Sequence, residues 1–168
     1  MKKFTLLFIV LVAMTNNLLA ANAKKIYLKS PDGNIKVEIN TVDTLNYTLF
    51  YKGNVLIEKS KIGLIKEDDV YVGNFSKPPR ISKRNAVENI ESPFYRFKSF
   101  ALAYNEVTIA LNDNFDLVLR LYNEGLSYRF VNNNKGVTII KNEISEFNFK
   151  EDFTAYAAYT TNEDKPFA

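Results

Sequence analysis

The sequence predicts an all-β fold, an antiparallel β-sandwich of the supersandwich type that this chain contains only in part. Residues 104–130, YNEVTIALNDNFDLVLRLYNEGLSYRF, alternate apolar and polar side chains in three runs, which is the period of half-buried strands. Asn, Asp and Gly separate the runs at short spacing, a pattern typical of sandwiches. No 11-residue window keeps helical spacing, so we expect at most one or two helical turns.

The first 23 residues predict a secretory signal peptide. Lys2-Lys3 precede an apolar run from Phe4 to Met14, and Ala21-Asn22-Ala23 forms a small-x-small cleavage site before Lys24. The alternative is a membrane anchor, but the apolar run is too short to cross a hydrocarbon core of roughly 30 Å. No Cys lies nearby for lipid attachment. We therefore expect an exported, periplasmic or extracellular protein with no membrane span after cleavage.

Composition excludes several function classes for the mature domain, residues 24–168. Cleavage removes two of the 22 basic residues and no acid, which leaves 20 against 19 and a charge of +1. Without a basic surface, nucleic acid is not an expected partner. The chain has no Cys and no His, so disulfides, His–zinc sites and Ser-His-Asp catalysis are excluded. A chain of this length can bury one core, so we expect one domain.

The N-terminal half predicts two hairpins and two further strands. Alternating runs and the turns at 30–34 and 52–54 predict strands at 26–29, 35–39, 45–51, 55–57, 62–65 and 70–75. Residues 76–92 contain Pro78-Pro79 and no sustained period, so they predict an irregular connection with at most one short strand.

The C-terminal half predicts the remaining strands. Phe94, Tyr95, Phe97 and Phe100 restore apolar density before strands at 107–111, 117–121 and 126–130, and further strands are predicted at 137–140, 144–149 and 155–159. Residues 162–168 resemble neither a capped strand nor a charged tail. We therefore expect the domain to continue beyond this segment.

Two acidic clusters, Glu67-Asp68-Asp69 and Glu151-Asp152, are the first candidates for chemistry. Paired carboxylates could bind calcium or act as acid and base in glycoside cleavage. Neither cluster has the spacing of a calcium loop, so solvated loops are the favoured interpretation. No phosphate-binding Gly loop, nucleophile elbow or metal-ligand pair is present, and no residue is nominated as catalytic, cofactor-binding or metal-binding.

Two Asn-Glu dipeptides are the next candidates. Asn105-Glu106 precedes a strand, and Asn123-Glu124-Gly125 lies at a turn. The carboxylates could face a cleft, but we favour glutamates on the solvent face and asparagines that begin turns. Gly125 is expected to take a positive φ.

Six tyrosines could form a platform on which sugar rings stack. At period two within apolar strands, however, tyrosines are more often core or interlayer residues, and we favour that interpretation. The six are Tyr47, Tyr51, Tyr122, Tyr128, Tyr156 and Tyr159.

The order of segments resembles the N-terminal domain of glycoside hydrolase family 97, which comprises exported bacterial α-glycosidases. The matching segments are SPDGNIKVEI (30–39), LNYTLFYKGNVLIEKSKIGL (45–64), YNEVTIAL (104–111), LVLRLYNEGLSYRF (117–130) and IIKNEISEFNF (139–149). Within them LRLYNEGLSYRF is the most specific.

The resemblance implies an N-terminal β-supersandwich followed by a catalytic (β/α)8 barrel and a small C-terminal β domain. It also implies hydrolysis of α-glucosides or α-galactosides by carboxylates on the barrel, with calcium at the site of the full-length enzyme. The sandwich would supply one calcium ligand from a segment after 155–159. Glu163 is the nearby candidate, but its surroundings depart from the family pattern, so it is not assigned that role and no cofactor is expected here.

Three hypotheses follow from the resemblance. The first and favoured one is a portion of a family 97 glycosidase that forms scaffold and cleft wall, lacks the barrel, and is inactive alone. The second is a stand-alone exported module that binds sugars or another partner. The third is a remnant that does not fold stably because its sheet edges are open.

Overall fold

The computed structural model describes residues 25–91, 98–152 and 154, and these contain strands and turns but no helix. The predicted all-β antiparallel architecture is confirmed. The strands are β1 (Lys25–Lys29), β2 (Ile35–Asn40), β3 (Asp43–Thr44), β4 (Asn46–Tyr51), β5 (Asn54–Lys66), β6 (Tyr71–Val72), β7 (Asn74–Phe75), β8 (Ile81–Glu91), β9 (Ser99–Ala110), β10 (Phe115–Leu121), β11 (Leu126–Asn132), β12 (Ile140–Ser145) and β13 (Asn148–Phe149).

The strands form two main sheets. The first has the order β1-β2-β4-β5-β12, with β6 and β13 also paired to β5, and the second has the order β11-β10-β9-β8. Strands β3 and β7 make a separate short pair. Every described pairing is antiparallel, as expected for hairpin-connected strands.

The core lies between the two sheets because alternation turns every second side chain of these strands inward. Strand β2 buries residues 35, 37 and 39, and strand β10 buries 115, 117, 119 and 121. These residues join one hydrophobic cluster with Val107 and Ile109 of β9, both fully buried. The cluster therefore draws on both sheets, which is the layered arrangement that a sandwich requires.

Side chains of the second sheet close the free edge of the first at β1. Lys83 Nζ donates to the carbonyl of Tyr27 at 2.6 Å, and Asn105 Nδ2 donates to the carbonyl of Lys29 at 2.7 Å. An edge strand presents unpaired carbonyls that invite another strand. These two side chains occupy such positions and fix the second sheet against β1.

The turn between β9 and β10 has the geometry that its sequence predicts. Asp113 and Asn114 both lie in the left-handed region, with φ values of 55° and 57°. Two successive left-handed residues match the twist of a tight hairpin. The expectation for Gly125 is wrong, because it is not among the residues with positive φ. The β10–β11 turn instead closes through a hydrogen bond from the Tyr122 N–H to the Gly125 carbonyl at 2.9 Å.

The largest error of the sequence prediction concerns residues 76–92. They contain the 11-residue strand β8 rather than an irregular connection. Strand β8 has polar residues on both faces. Lys83 reaches the Tyr27 carbonyl of β1 from one face, and Arg84 reaches the Glu106 carboxylate on the outer face. The apolar alternation that normally reveals a strand is therefore missing.

Other strand boundaries also differ from prediction. The strands predicted at 55–57 and 62–65 are one strand, β5, interrupted only by register shifts against β4. Residues 137–139 are irregular, and the next strand begins at Ile140. The predicted strand at 155–159, the aromatic residues Phe94, Tyr95 and Phe97, and the signal peptide lie outside the described residues. The described part of the chain contains no helix that could span a bilayer.

Candidate functional site

The outer face of the second sheet, which points away from the core, carries a row of charges across three strands. Arg84 of β8 lies opposite Glu106 of β9, and Glu106 lies opposite Arg120 of β10. The same alternation that turns Val107 into the core turns these three side chains outward. Register alone therefore places one carboxylate between two guanidinium groups.

Glu106 is bound at both oxygens. Arg84 donates from Nε to Oε1 at 2.5 Å and from Nη2 to Oε2 at 3.0 Å, a two-pronged pairing. Arg120 Nε donates to Oε2 at 2.7 Å. Charge-assisted bonds to a carboxylate are about twice as strong as neutral hydrogen bonds. This geometry fixes all three side chains in one arrangement.

The carboxylate of Glu106 is nearly inaccessible, although its face of the sheet points outward. Its side chain is 8% exposed, whereas those of Arg84 and Arg120 are 54% and 24% exposed. The hydrogen bond from Arg84, supported by Arg120, lowers the pKa of Glu106 to about 2 despite the opposing effect of burial. The same hydrogen bonding raises the pKa of Arg84 and of Arg120.

Two tyrosines and a second carboxylate surround this row. Arg120 lies over the Tyr104 ring with its guanidinium carbon 4.3 Å from the ring centroid, and the Tyr122 ring lies 5.4 Å from that of Tyr104. Tyr104 donates its hydroxyl to Glu88, which raises the pKa of the tyrosine. Glu88 also lies 3.7 Å from Arg120 Nη1. We name these six residues the Glu106 network: Arg84, Glu88, Tyr104, Glu106, Arg120 and Tyr122.

The chemistry open to the Glu106 network is limited. A general acid must hold a proton near neutral pH, and a carboxyl group with a pKa of about 2 does not. Both oxygens of Glu106 are also committed to arginines. Glu106 therefore orders this surface and is not placed to act as a general acid.

The acidic clusters named from the sequence do not join this network. Asp68 pairs with Lys66 at 3.1 Å, and Asp69 pairs with Lys141 at 2.6 Å, both in the exposed turn after β5. Glu151 and Asp152 are exposed at the end of the described residues. Within residues 25–91, 98–152 and 154, no three carboxylates converge as a calcium ion requires. The described residues thus do not fit the implied calcium, and Glu163 lies outside them.

The tyrosines divide between interlayer and surface positions. Tyr47 is buried, donates its hydroxyl to the Glu146 carbonyl at 3.0 Å, and has its pKa raised to about 12 by burial. Tyr128 bonds Glu143 at 2.9 Å across the sheets. Tyr51 is exposed and Tyr122 packs on Tyr104. The structure thus brings no shared platform together from these four, while Tyr156 and Tyr159 lie outside the described residues.

The expectation that Glu106 lies on a wet face is wrong. The face was identified correctly, but arginine and tyrosine side chains cover the carboxylate. Arg84 was missed because it lies in the segment predicted to be irregular. One available signal was the charge of Arg120, which alternation places on the same outer face as Glu106.

Comparison with known proteins agrees with this fold and decides the family. A family model described as Glycosyl-hydrolase 97 N-terminal matches residues 28–167. The chain belongs to the glycoside hydrolase 97 N-terminal family. A retaining alpha-galactosidase from Bacteroides thetaiotaomicron is 34% identical over 159 residues, which are 95% of this chain and 24% of the galactosidase. The chain therefore spans about a quarter of this curated relative.

Solved structures of glycosidases share the fold. A glycoside hydrolase family 97 enzyme from a Pseudoalteromonas species, in complex with panose, matches 74% of this chain and 20% of its own, with TM-score 0.65 and 21% identity. The complex of that enzyme with acarbose matches the same fractions of the two chains, with TM-score 0.64 and 22% identity. A beta-arabinopyranosidase matches 76% of this chain and 22% of its own, with TM-score 0.56 and 19% identity. These TM-scores show that this family 97 domain shares the fold of part of each enzyme.

Proposed function

We propose that this family 97 domain is a non-catalytic scaffold of an exported α-glycosidase, which supports a catalytic domain and forms part of the wall of its substrate cleft. The observation that carries the proposal is the family match over residues 28–167, combined with coverage of only 24% of the Bacteroides galactosidase. The substrate class, an α-galactoside or α-glucoside, is inferred from the names of that relative and of the panose and acarbose complexes.

The chemistry of the described residues supports the non-catalytic part. Glycoside cleavage by two carboxylates needs one of them protonated and facing the scissile bond. Glu106 is the carboxylate that the described strands bury, and two arginines hold it ionised. Exported placement is supported by Lys2-Lys3, the apolar run and the Ala21-Asn22-Ala23 site.

A domain exchange tests the scaffold role. The N-terminal quarter of the Bacteroides galactosidase is replaced by residues 24–168, and hydrolysis of p-nitrophenyl α-galactoside is compared with that of the parent enzyme and of the enzyme lacking that quarter. We expect the exchanged enzyme to hydrolyse the substrate at a tenth of the parent rate or faster. The shortened enzyme should show no hydrolysis above the buffer rate. A matched exchange that carries Ile109→Asp, which disrupts the buried core, should behave like the shortened enzyme.

The purified chain provides the complementary measurement. Residues 24–168 alone should release no p-nitrophenol from α-glucoside or α-galactoside above the buffer rate. Hydrolysis that survives repeated purification would overturn the non-catalytic assignment. Calorimetry with maltooligosaccharides tests the alternative of a stand-alone sugar-binding module. Saturable binding heat from the purified chain, together with an exchanged enzyme that is no more active than the shortened one, would favour that alternative.

A further inference from the structure

The outer face of the second sheet contains a small cavity next to the Glu106 network. It has a volume of about 130 Å³ and lies mainly between the neighbouring strands β10 and β11. Register places Arg129 opposite Val118 and Ser127 opposite Arg120. We name this cavity the arginine pocket, and its lining residues are Val118, Arg120, Tyr122, Ser127, Tyr128 and Arg129.

The two arginines of the pocket differ in their partners. Arg120 is held by Glu106 at 2.7 Å and stacks on Tyr104. Arg129 is exposed, and within the described parts of the chain its side chain makes no hydrogen bond or ion pair. Asp116, the nearest acidic position on the same face of β10, instead accepts from Asn133 Nδ2 at 2.9 Å. Among the described residues, the pocket therefore holds one guanidinium group that makes no hydrogen bond or ion pair.

The shape and chemistry of the pocket select a class of ligand. A guanidinium group offers a planar pair of donors that matches the two oxygens of a carboxylate. The hydroxyls of Ser127 and Tyr122 add donors at the rim, and the buried side chain of Val118 supplies an apolar floor. A cavity of about 130 Å³ equals roughly four water volumes, enough for a carboxylate and part of a sugar ring.

We propose that the arginine pocket binds a carboxylate group, with Arg129 as the pairing residue and a hexuronic acid as the source of the carboxylate. The carboxylate specificity rests on the pocket itself, whereas the choice of a sugar as the carrier of the carboxylate rests on the proposed glycosidase role. A simple carboxylic acid is the other source of the same chemistry. The rigid position of Arg120, fixed by Glu106, keeps the wall of the pocket in place before a ligand arrives.

Nuclear magnetic resonance titration of the chain from residue 24 tests this site. Galacturonate, galactose and acetate are added separately, and backbone amide and arginine Nε–H signals are followed. We expect galacturonate to shift the Arg129 Nε–H and Ser127 amide signals saturably, and galactose to leave them unchanged. Tighter binding of galacturonate than of acetate identifies the sugar as the source, and equal binding identifies a simple carboxylate; both results support the site.

Three variants complete the test. Arg129→Gln should weaken galacturonate binding at least tenfold, and Arg129→Lys several-fold, because lysine keeps the charge but loses the paired donors. Arg80→Gln is the matched control, since Arg80 is an exposed arginine outside the pocket and its loss should leave binding unchanged. Galactose that binds as tightly as galacturonate, or an Arg129→Gln protein that binds galacturonate like the parent, overturns the proposal. The domain exchange does not depend on this pocket, so the two proposals fail separately.

Discussion

Lys83 and Tyr27 belong to different sheets, yet Lys83 Nζ donates a 2.6 Å hydrogen bond to the Tyr27 carbonyl. The ammonium group thereby covers a free acceptor on the edge strand β1. Replacing Lys83 with Met should expose that acceptor, lower the free energy of unfolding by about 0.5–1.5 kcal/mol, and increase association of the protein. Urea unfolding and light scattering measure the two effects.

Lys59 provides the control for this edge effect. It is an exposed lysine of β5, and its side chain makes none of the described ion pairs. Lys59→Met removes the same charge and should change unfolding by less than about 0.5 kcal/mol. Equal aggregation of the two variants would show that lost charge, and not the uncovered edge, causes association.

The Glu106 network makes stability depend on pH in acid. The pKa of Glu106 is lowered from its ordinary value of 4.5 to about 2. Its contribution is therefore fully present above pH 4.5 and is lost as the pH falls toward 2. Urea unfolding midpoints should decline across this window. Glu106→Gln should cost about 2–3 kcal/mol at pH 7, a figure reduced by the half-exposure of Arg84.

The variant Glu106→Gln also provides the control for the pH effect, because its amide does not titrate. The difference in unfolding free energy between parent and variant should shrink from pH 5 to pH 2. Glu124→Gln removes an exposed carboxylate of the β10–β11 turn that makes none of the described ion pairs, and it should cost less than about 0.5 kcal/mol at pH 7. A difference that stays constant with pH would contradict the assigned ion pairs.

Gly63 is required because the Tyr71 ring occupies the place of a side chain. A Cβ added at Gly63 would lie within 2.5 Å of the Tyr71 ring, whose hydroxyl bonds the Ile62 carbonyl at 3.1 Å. Gly63→Ala should therefore destabilise the domain by about 1–3 kcal/mol. In a protein that already carries Tyr71→Ala, the same Gly63→Ala change should cost much less, because the ring that it contacts is gone. A double-mutant cycle measures this coupling.

Gly125 is the contrasting glycine. No heavy atom lies within 4 Å of a Cβ added there, and its φ is not in the left-handed region. Gly125→Ala should change the free energy of unfolding by less than about 0.5 kcal/mol. A large loss would mean that the turn conformation described for residues 122–125 is wrong.

Ile109 tests the inward face of β9. It is fully buried between the sheets, so Ile109→Ala should cost about 2–5 kcal/mol through lost burial and a residual cavity. The neighbouring Thr108 is partly exposed on the opposite face, and Thr108→Ala should cost under about 1 kcal/mol. Chemical denaturation measures the free energy of unfolding of both variants. Equal losses of stability would contradict the assignment of Ile109 to the inner face and Thr108 to the outer face.

The sequence predicted strands well where one face is apolar and the other polar. Strands β2, β10 and β11 follow simple alternation, so their positions and the Asp113-Asn114 turn could be read directly. Strand β8 was missed because its stability comes from pairing with β9 and from the bonds of Lys83 and Arg84. Tyr27 lies 56 residues from Lys83 and Glu106 lies 22 residues from Arg84, and alternation carries no information about either contact.

The candidate site was harder to predict than the fold for the same reason. Alternation places Glu106 and Arg120 on the outer face but does not show which strands are neighbours. Burial of Glu106 involves Arg84 from a third strand, and the side-chain directions of Arg129 and Asp116 cannot be deduced from alternation alone. Register and side-chain direction therefore had to come from the structure.

The most direct test of the account is the titration of the Glu106 carboxyl carbon by nuclear magnetic resonance in the folded domain. The central claim is that strand register holds this carboxylate ionised between Arg84 and Arg120, which makes it a structural group and not an acid–base catalyst. The account predicts a pKa of about 2. A pKa at or above the ordinary value of 4.5 would contradict it.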